Sequence, residues 1–319
     1  MRSAIVALFV LLCSLPLFAQ SQPPELIADV KPPFRFVAYG DTRFTDPANT
    51  KPADPALRQE IVRKIAEEQP AFISIGGDIS YNGYDKKDWE QYDKETSAWR
   101  EKKIAVYPAL GNHDLHGPED VALANYFQRY PDLHNSRYYS VRAGNTLMLV
   151  LDSSQDEVAG AQGEWLKSKV VALPKEVEFV FFVLHHPPYT SAKDEGHVAR
   201  AREQALAAYL EDQQKHAAVR FVVFSGHVHN YEHKEHGGVL YLVTGGGGAR
   251  PHPLERQADD LFKAYDVNFH FVTIDVEKDK LKAVMHRVEM KDGKAVWTEP
   301  ESMTLASAAK SAAAAGVGK

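Results

Sequence analysis

The stretch Ala71-Phe72-Ile73-Ser74-Ile75-Gly76-Gly77-Asp78-Ile79-Ser80-Tyr81 is a short, nearly all-apolar run ending in two glycines and an aspartate, with a tyrosine three positions on. A continuous apolar run of this length bounded by glycine reads as a strand buried on both faces. Its end puts Asp78 at the carboxyl edge of a sheet, where open α/β folds bind their ligands. A lone Gly-Asp is equally ordinary turn chemistry. Four other strand ends in the chain carry the same kind of signal and shift the balance towards a site.

Phe34 to Tyr39 alternates and enters Gly40-Asp41-Thr42-Arg43-Phe44, a strand running into a loop. Asp54-Pro55 opens a helix with Leu57, Ile61 and Ile65 on one stripe. Asp85 to Arg100 reads as one surface-packed helix carrying Trp89, Tyr92 and Trp99, and Ile104 to Leu110 is a third apolar run, ended by Gly111-Asn112-His113-Asp114. Strand, helix, strand, helix, strand is the pattern of parallel βαβ units. Arg137 to Val141 and Thr146 to Leu151 then form a hairpin-like pair around Arg142-Ala143-Gly144-Asn145. Gln162 to Val171 is helical. Phe179 to Leu184 is a fourth buried strand ending in His185-His186-Pro187-Pro188, and Ala199 to Lys215 is helical again. Phe221 to Ser225 is a fifth buried strand, ending in Gly226-His227-Val228-His229; shorter β-like pieces follow at 239–244, 269–276 and 281–288. There is no internal repeat. The expected picture is two facing sheets with helices outside.

The ends of the chain read differently. Arg2, the apolar stretch Ala4 to Phe18 and the small-x-small pattern Ala19-Gln20-Ser21 make residues 1–21 a secretory signal peptide, too short for a membrane span. The expectation is an exported protein, periplasmic or secreted, with no stable span once the leader is cleaved. The only cysteine, Cys13, lies in that leader, so the mature chain would have neither disulfides nor thiolate chemistry. Residues 22–33 form a Pro-containing lead-in, 34–305 one domain, and 306–319 an Ala-rich tail expected to be disordered. The net charge of −6 and the absence of a Lys/Arg block give no electrostatic footprint for nucleic acid or an anionic membrane. Nothing in the sequence speaks to oligomeric state.

Five strand ends therefore supply Asp41, Asp78 with Tyr81, Asn112 with His113, His185 with His186, and His227 with His229. Oxygen and imidazole donors without cysteine suit a borderline or hard metal ion. The set exceeds what one ion needs, so two are the economical reading, about 3.5–4 Å apart, clamping a phosphoryl group and activating a water.

In that order, Gly40-Asp41, Gly77-Asp78, Gly111-Asn112-His113-Asp114, His186 after an apolar strand and Gly226-His227-Val228-His229 resemble the motifs of the calcineurin-like metallophosphoesterase superfamily. Tyr81 three residues after Asp78, and Val183-Leu184-His185-His186, are similar to the purple acid phosphatase branch. Many relatives carry a histidine two residues after the first aspartate; Arg43 stands there instead. The resemblance implies a four-layer αββα sandwich of two mixed sheets (α/β, or α+β in some schemes), without the extra N-terminal β domain of the larger plant-type members. It assigns Asp41, Tyr81 and His229 to a first metal, Asn112, His186 and His227 to a second, and Asp78 to a bridge. A free phenol titrates near pH ~10, so Tyr81 as a phenolate ligand points to Fe(III), with Fe(II), Zn(II) or Mn(II) at the second position. His113 matches the family's phosphate-contacting histidine, with Asp114 as its orienting partner. His197 is placed roughly where a second such histidine stands, or is a helix-start residue at the surface. His185 lies beside the site, as a candidate contact to the substrate phosphate, or exchanges places with His186 as ligand. Arg43 reaches the phosphate or pairs with a carboxylate. His116, His134, His233, His236, His252, His270 and His286 are read as structural or surface residues, and Gly245 to Gly248 as a place where backbone approaches a substrate.

The function expected from the resemblance is hydrolysis of small phosphate esters by metal-activated hydroxide, as a phosphomonoesterase of purple acid type. The rivals are a phosphodiesterase, acting on cyclic nucleotides or glycerophosphodiester-like headgroups, and a non-catalytic binding protein that keeps the fold.

Overall fold

The computed structural model describes residues 22–308; the expected leader and residues 309–319 of the expected tail lie outside them. The first half contains β1 (Glu25–Ala28), β2 (Phe34–Tyr39), α1 (Pro55–Glu68), β3 (Phe72–Ile75), α2 (Lys86–Glu95), α3 (Ser97–Glu101), β4 (Ala105–Pro108) and α4 (Glu119–Arg129). Then come β5 (Tyr139–Ala143), β6 (Thr146–Val150), α5 (Gly160–Val171), β7 (Phe179–Val183), α6 (Ala201–Gln214) and β8 (Arg220–Ser225). The chain closes with β9 (Tyr231–His236), β10 (Val239–Thr244), β11 (Phe269–Val276), β12 (Lys280–Lys291) and β13 (Lys294–Ala306).

The strands form two mixed sheets, one ordered β13-β12-β11-β2-β3-β4 and the other β1-β5-β6-β7-β8-β10-β9. β2, β3 and β4 are parallel, as are β6, β7, β8 and β10. The sheets meet through aromatic rings: Phe36 of the six-stranded sheet lies 5.0 Å from Phe181 and 6.1 Å from Phe224 of the other. Side chains of a strand alternate between faces. On β7, Phe179, Phe181 and Val183 join the core shared with the opposite sheet, while Val180 and Phe182, with Leu184 beyond the strand, pack with Trp165, Leu166, Leu206 and Leu210 of α5 and α6. That parity matters at the strand's end.

Local chemistry explains several boundaries. Asp54 caps α1 by accepting from Leu57 N at 3.2 Å, with Pro55 at the first helical position. The single helix expected over 85–100 is two. The buried Thr96 hydroxyl donates back to Tyr92 O at 2.6 Å, a bond that bends helices, and α3 starts afresh. The lead-in is more than a connection: Glu25–Ala28 pairs in parallel with Ser140–Ala143 as an edge strand, Leu26 and Ala28 inward and Ile27 exposed. The expected tail begins too early, because β13 runs through Ala306 and Ser307 N bonds Asp279 O. Three elements carry little sequence signal. α4 buries only Ala122, Asn125 and Tyr126, and β9 buries Glu232, His233 and Lys234, polar residues that do not read as a strand face. β13 contains Pro300, at a register shift between Met285↔Glu301 and Arg287↔Thr298, where a bulge on an edge strand tolerates proline.

Candidate metal centre

The carboxyl ends of β2, β3, β4, β7 and β8 open onto one place. Asp41 (φ 58°), Asp78 (φ 53°), His227 (φ 71°) and His229 (φ 54°) all adopt left-handed backbone, a conformation that costs L-residues about 1–2 kcal/mol each and clusters at functional sites. The strain is held by bonds between the loops: Asp41 N to Gly77 O at 3.0 Å, Arg43 N to Asp78 O at 2.9 Å and Phe44 N to Ile79 O at 2.7 Å. The glycines in the motifs make room. A Cβ on Gly111 would fall 2.3 Å from Asp78 Oδ1, and one on Gly226 would fall 2.3 Å from Asp41 Oδ2.

His185 Nδ1 lies 2.9 Å from Gly76 O, and His227 Nε2 lies 2.9 Å from Gly196 O. A carbonyl only accepts, so each of those nitrogens carries the proton. The other two nitrogens, His185 Nε2 and His227 Nδ1, face each other at 3.2 Å with lone pairs only. Asn112 Oδ1 is 3.0 Å and Asp78 Oδ1 3.4 Å from His185 Nε2. Burial holds the imidazole pKa of His185 down and that of His227 at about 3, so neither ring supplies a second proton at neutral pH. Three of these acceptors, His185 Nε2, His227 Nδ1 and Asn112 Oδ1, meet with no donor between them, and the Asp78 carboxylate, which accepts only the His113 N–H on Oδ1, adds negative charge beside them, an arrangement that suits a cation. The three distances from His185 Nε2, 3.0, 3.2 and 3.4 Å, lie near the ~3.3 Å that separates ligand atoms of a tetrahedral ion with bonds of about 2.0–2.1 Å.

A second set lies alongside. Asp41, Asp78 and His229 present one ligand atom each within 4.8 Å of one another, all buried. His229 donates through Nδ1 to Arg250 O at 2.7 Å, which fixes its tautomer, and its buried Nε2 has no partner but sits 3.4 Å from Asp41 Oδ1. Asp41 accepts His227 N at 2.9 and 3.0 Å. Burial and the neighbouring Asp78 charge push the Asp41 carboxyl well up. Burial opposes the Asp78 charge too, but His185, Arg43 and His113 hold its carboxyl well below the usual range. Two carboxyls so close in a dry site would be balanced by bound positive charge.

The sequence reading puts His186 among the ligands and His185 beside them; in the structure it is His185 that meets Asn112 and Asp78, while His186 shares with His185 and His227 a buried group whose ligand atoms lie within 4.8 Å of one another. His185 continues the parity of Phe181 and Val183 into the space between the sheets. His186 turns its Nδ1 to Ser153 Oγ at 2.8 Å, and its ring packs 4.2 Å from that of His227. Arg43 takes the second of its two expected roles, pairing with Asp78 Oδ2 at 3.1 Å. His113 faces the site, its backbone N–H on Asp78 Oδ1 at 2.9 Å, but Asp114 does not orient its ring. Tyr81 O does, accepting from Nδ1 at 2.7 Å. Asp114 is buried beneath, accepting Ile79 N, Ser80 N and Gly111 N at 3.0 Å each, so it locks the loops after β3 and β4 together. Burial holds the His113 pKa at about 4 and raises the Asp114 carboxyl to about 7.

Tyr81 stacks on His113, ring centroids 5.4 Å apart. Gly245 serves the protein itself rather than a substrate: a Cβ there would lie 2.6 Å from Asp41 Oδ2. His197 sits at the site, 4.7 Å from the His227 ring, with Nδ1 bonded to Asp194. The sequence reading gives no role to Ser153 or Asp194 and takes His252 as structural or surface, whereas the His252 ring packs, tilted, 3.5 Å from that of His197 and 4.5 Å from that of His229. No short motif signals it, because His197 and His252 are far apart in sequence.

The two sheets with outer helices and the buried Asp/His groups at their strand ends define an αββα sandwich of the metallophosphoesterase class. The chain belongs to the calcineurin-like phosphoesterase family, whose profile matches residues 34–231, more than half of its length. Purple acid phosphatase 1 of Ipomoea batatas is 25% identical over 232 residues, covering 67% of this chain and 45% of that protein. The Fe(3+)-Zn(2+) purple acid phosphatase 12 of Arabidopsis thaliana is 25% identical over 248 residues, 70% of this chain and 48% of the relative. The chain thus spans about half the length of these relatives. Among solved structures, purple acid phosphatase PPD1 of yellow lupin (Lupinus luteus) superposes with a TM-score of 0.68 at 17% identity, over 86% of this chain and 54% of that one, a likeness of fold.

Proposed function

We propose that the protein is an exported phosphomonoesterase of purple acid type with a dinuclear centre. The observation that carries this is the donor-free meeting of His185 Nε2, His227 Nδ1 and Asn112 Oδ1, with the Asp78 carboxylate 3.4 Å from His185 Nε2, beside the second buried set, Asp41, Asp78 and His229. Asn112, His185 and His227 would hold one ion and Asp41, His229 and Tyr81 the other, with Asp78 between. Two such ions would supply Lewis-acid stabilisation of the phosphoryl oxygens and would bring a water's pKa towards ~7. Fe(III) at the Tyr81 position, with Fe(II), Zn(II) or Mn(II) at the other, suits a phenolate donor and two carboxylates.

The chain's own groups complete the site. Arg43 holds Asp78 in place by charge-assisted bonds. Because His113 Nδ1–H is committed to Tyr81 O, its Nε2 accepts when the ring is neutral and donates to a phosphate or leaving oxygen only when the ring is protonated. The similarity to purple acid phosphatases supports the monoesterase reading. The leader-like first 21 residues support export, and no described helix is long and apolar enough to cross a membrane.

The test is purification after loading with iron and zinc, followed by a visible spectrum and a panel of aryl phosphate mono- and diesters. A purple or pink protein that hydrolyses monoesters faster than diesters is the expected result, and Tyr81→Phe should bleach the colour. A colourless iron-loaded protein removes the Tyr81 assignment. Failure to hydrolyse any ester in the panel removes the enzymatic one.

A further inference from the structure

We propose that Asp194, His197 and His252 form a third metal site, for a borderline divalent ion such as Zn(II), on the solvent side of the dinuclear centre. The three residues belong to two loops, Asp194 and His197 between β7 and α6, and His252 after β10. Each offers a ligand atom within 4.8 Å of the other two. His252 Nδ1 is 3.3 Å from Asp194 Oδ2, and His197 Nδ1 meets that same oxygen. Two imidazoles and one carboxylate are a donor set used by zinc and other first-row metals in sites that keep open positions for water or substrate.

Three further features set this cluster apart from a surface His–Asp contact. The loops are tied by backbone, with a bridge between Ala192 and Leu254, Glu255 N on Ser191 O at 2.8 Å and His252 N on Val228 O at 3.4 Å. The ligand atoms are therefore positioned before any ion arrives. The other carboxylate oxygen, Asp194 Oδ1, is shielded from solvent and has no hydrogen-bond partner, which a carboxylate serving only as a hydrogen-bond acceptor would not leave idle. The cluster also abuts the ligands already described: His197 lies 4.7 Å from the His227 ring and His252 4.5 Å from the His229 ring. An ion there adds positive charge where the outer oxygens of a phosphate ester arrive. His197, expected from the sequence to contact phosphate, would then act by holding this ion.

The inference goes beyond the dinuclear reading and stands whether that centre acts on mono- or diesters. The experiment is to strip the full chain of metal, titrate it with Zn(II) alone and count bound ions by native mass spectrometry. Three ions in the wild type and two in Asp194→Asn and in His252→Ala are expected, with unchanged circular dichroism. His252→Gln serves where His252→Ala fails to fold. An ion count equal to the wild type's in these variants, whatever that count is, overturns the third site. Asp78→Ala separates the two claims: it should lose inner ions and keep the outer one. A wild type holding a single ion that His252→Ala removes would sink the dinuclear reading while sustaining this one.

Discussion

The two sheets contribute opposite halves of one centre. The six-stranded sheet ends in oxygen donors, Asp41 after β2, Asp78 after β3 and Asn112 after β4. The seven-stranded sheet ends in imidazoles, His185 after β7 and His227 and His229 after β8. The oxygen half is anionic and buried, so by itself it is electrostatically costly. The nitrogen half is neutral and, because carbonyls fix its tautomers, presents lone pairs. Neither half is a site alone. Packing the sheets face to face brings costly charge to unpaired lone pairs, and a cation resolves both.

The strongest way to break this comparison is to remove the group common to both sets. Asp78→Ala should lower phosphate-ester hydrolysis by on the order of 10³-fold, the several kcal/mol that metal chemistry supplies; steady-state assays and metal analysis check it, and near-normal rates would defeat the shared-ligand picture. Next in size is a contrast within the nitrogen half. His185→Ala should lose about 10²–10³-fold in activity, whereas His186→Ala, whose ring bonds Ser153, should lose about 10–100-fold as an outer partner. The reverse ranking would return the ligand role to His186.

The oxygen half offers a stability test with a worked sign. The folded-state pKa of Asp41 is raised by burial and by Asp78, so the metal-free protein favours its protonated form and loses stability as pH rises above the ordinary carboxylate value. Asp41→Asn mimics that form. In chelator, its melting temperature should exceed the wild type's by a few degrees at pH 7 and match it near pH 4, while added metal should stabilise the wild type alone. Equal melting at both pH values would show that the half is not under electrostatic cost.

The smallest effect comes from a carboxyl pair outside the centre. Glu157 is fully buried with both oxygens unpartnered, and burial beside Glu203 pushes its carboxyl up to about 8. Among the described residues no imidazole set faces this pair; burial and the Glu203 charge favour the protonated Glu157, and Arg200 binds Glu203. Here too the folded state binds the proton more tightly, so stability declines as pH rises from about 4.5 to about 8. Glu157→Gln should therefore raise the melting temperature at pH 8, by on the order of 2–4 °C per kcal/mol gained, and leave it unchanged at pH 4. A gain that does not grow with pH would show that the folded state does not hold Glu157 protonated.

Much of the centre was legible in the sequence because each ligand follows an apolar run closed by glycine or by the strand itself. Apolar runs make buried strands, and buried strands end where a sheet can hold a ligand. The choice between His185 and His186 was not legible: a period of two says that they face opposite ways but not which way is inward. Asp114 was misread for a related reason. Its neighbour in sequence is His113, yet its partners are the amides of Ile79 and Ser80 on another loop. β9 escaped because its buried polar residues are satisfied by distant groups, such as Glu301 for His233 and Asp259 with Asp260 for Lys234.

By itself, then, the chain of residues determined the βαβ order, the burial of the strands and the chemical kinds of donor at their ends, since these depend on local hydrophobic period and turn chemistry. The packing of one sheet on the other decided which imidazole meets Asp78 and what Asp114 supports. It also decided that His252, remote in sequence, stands over His197. Those outcomes depend on distances between elements, and hydrophobic period carries no information about them.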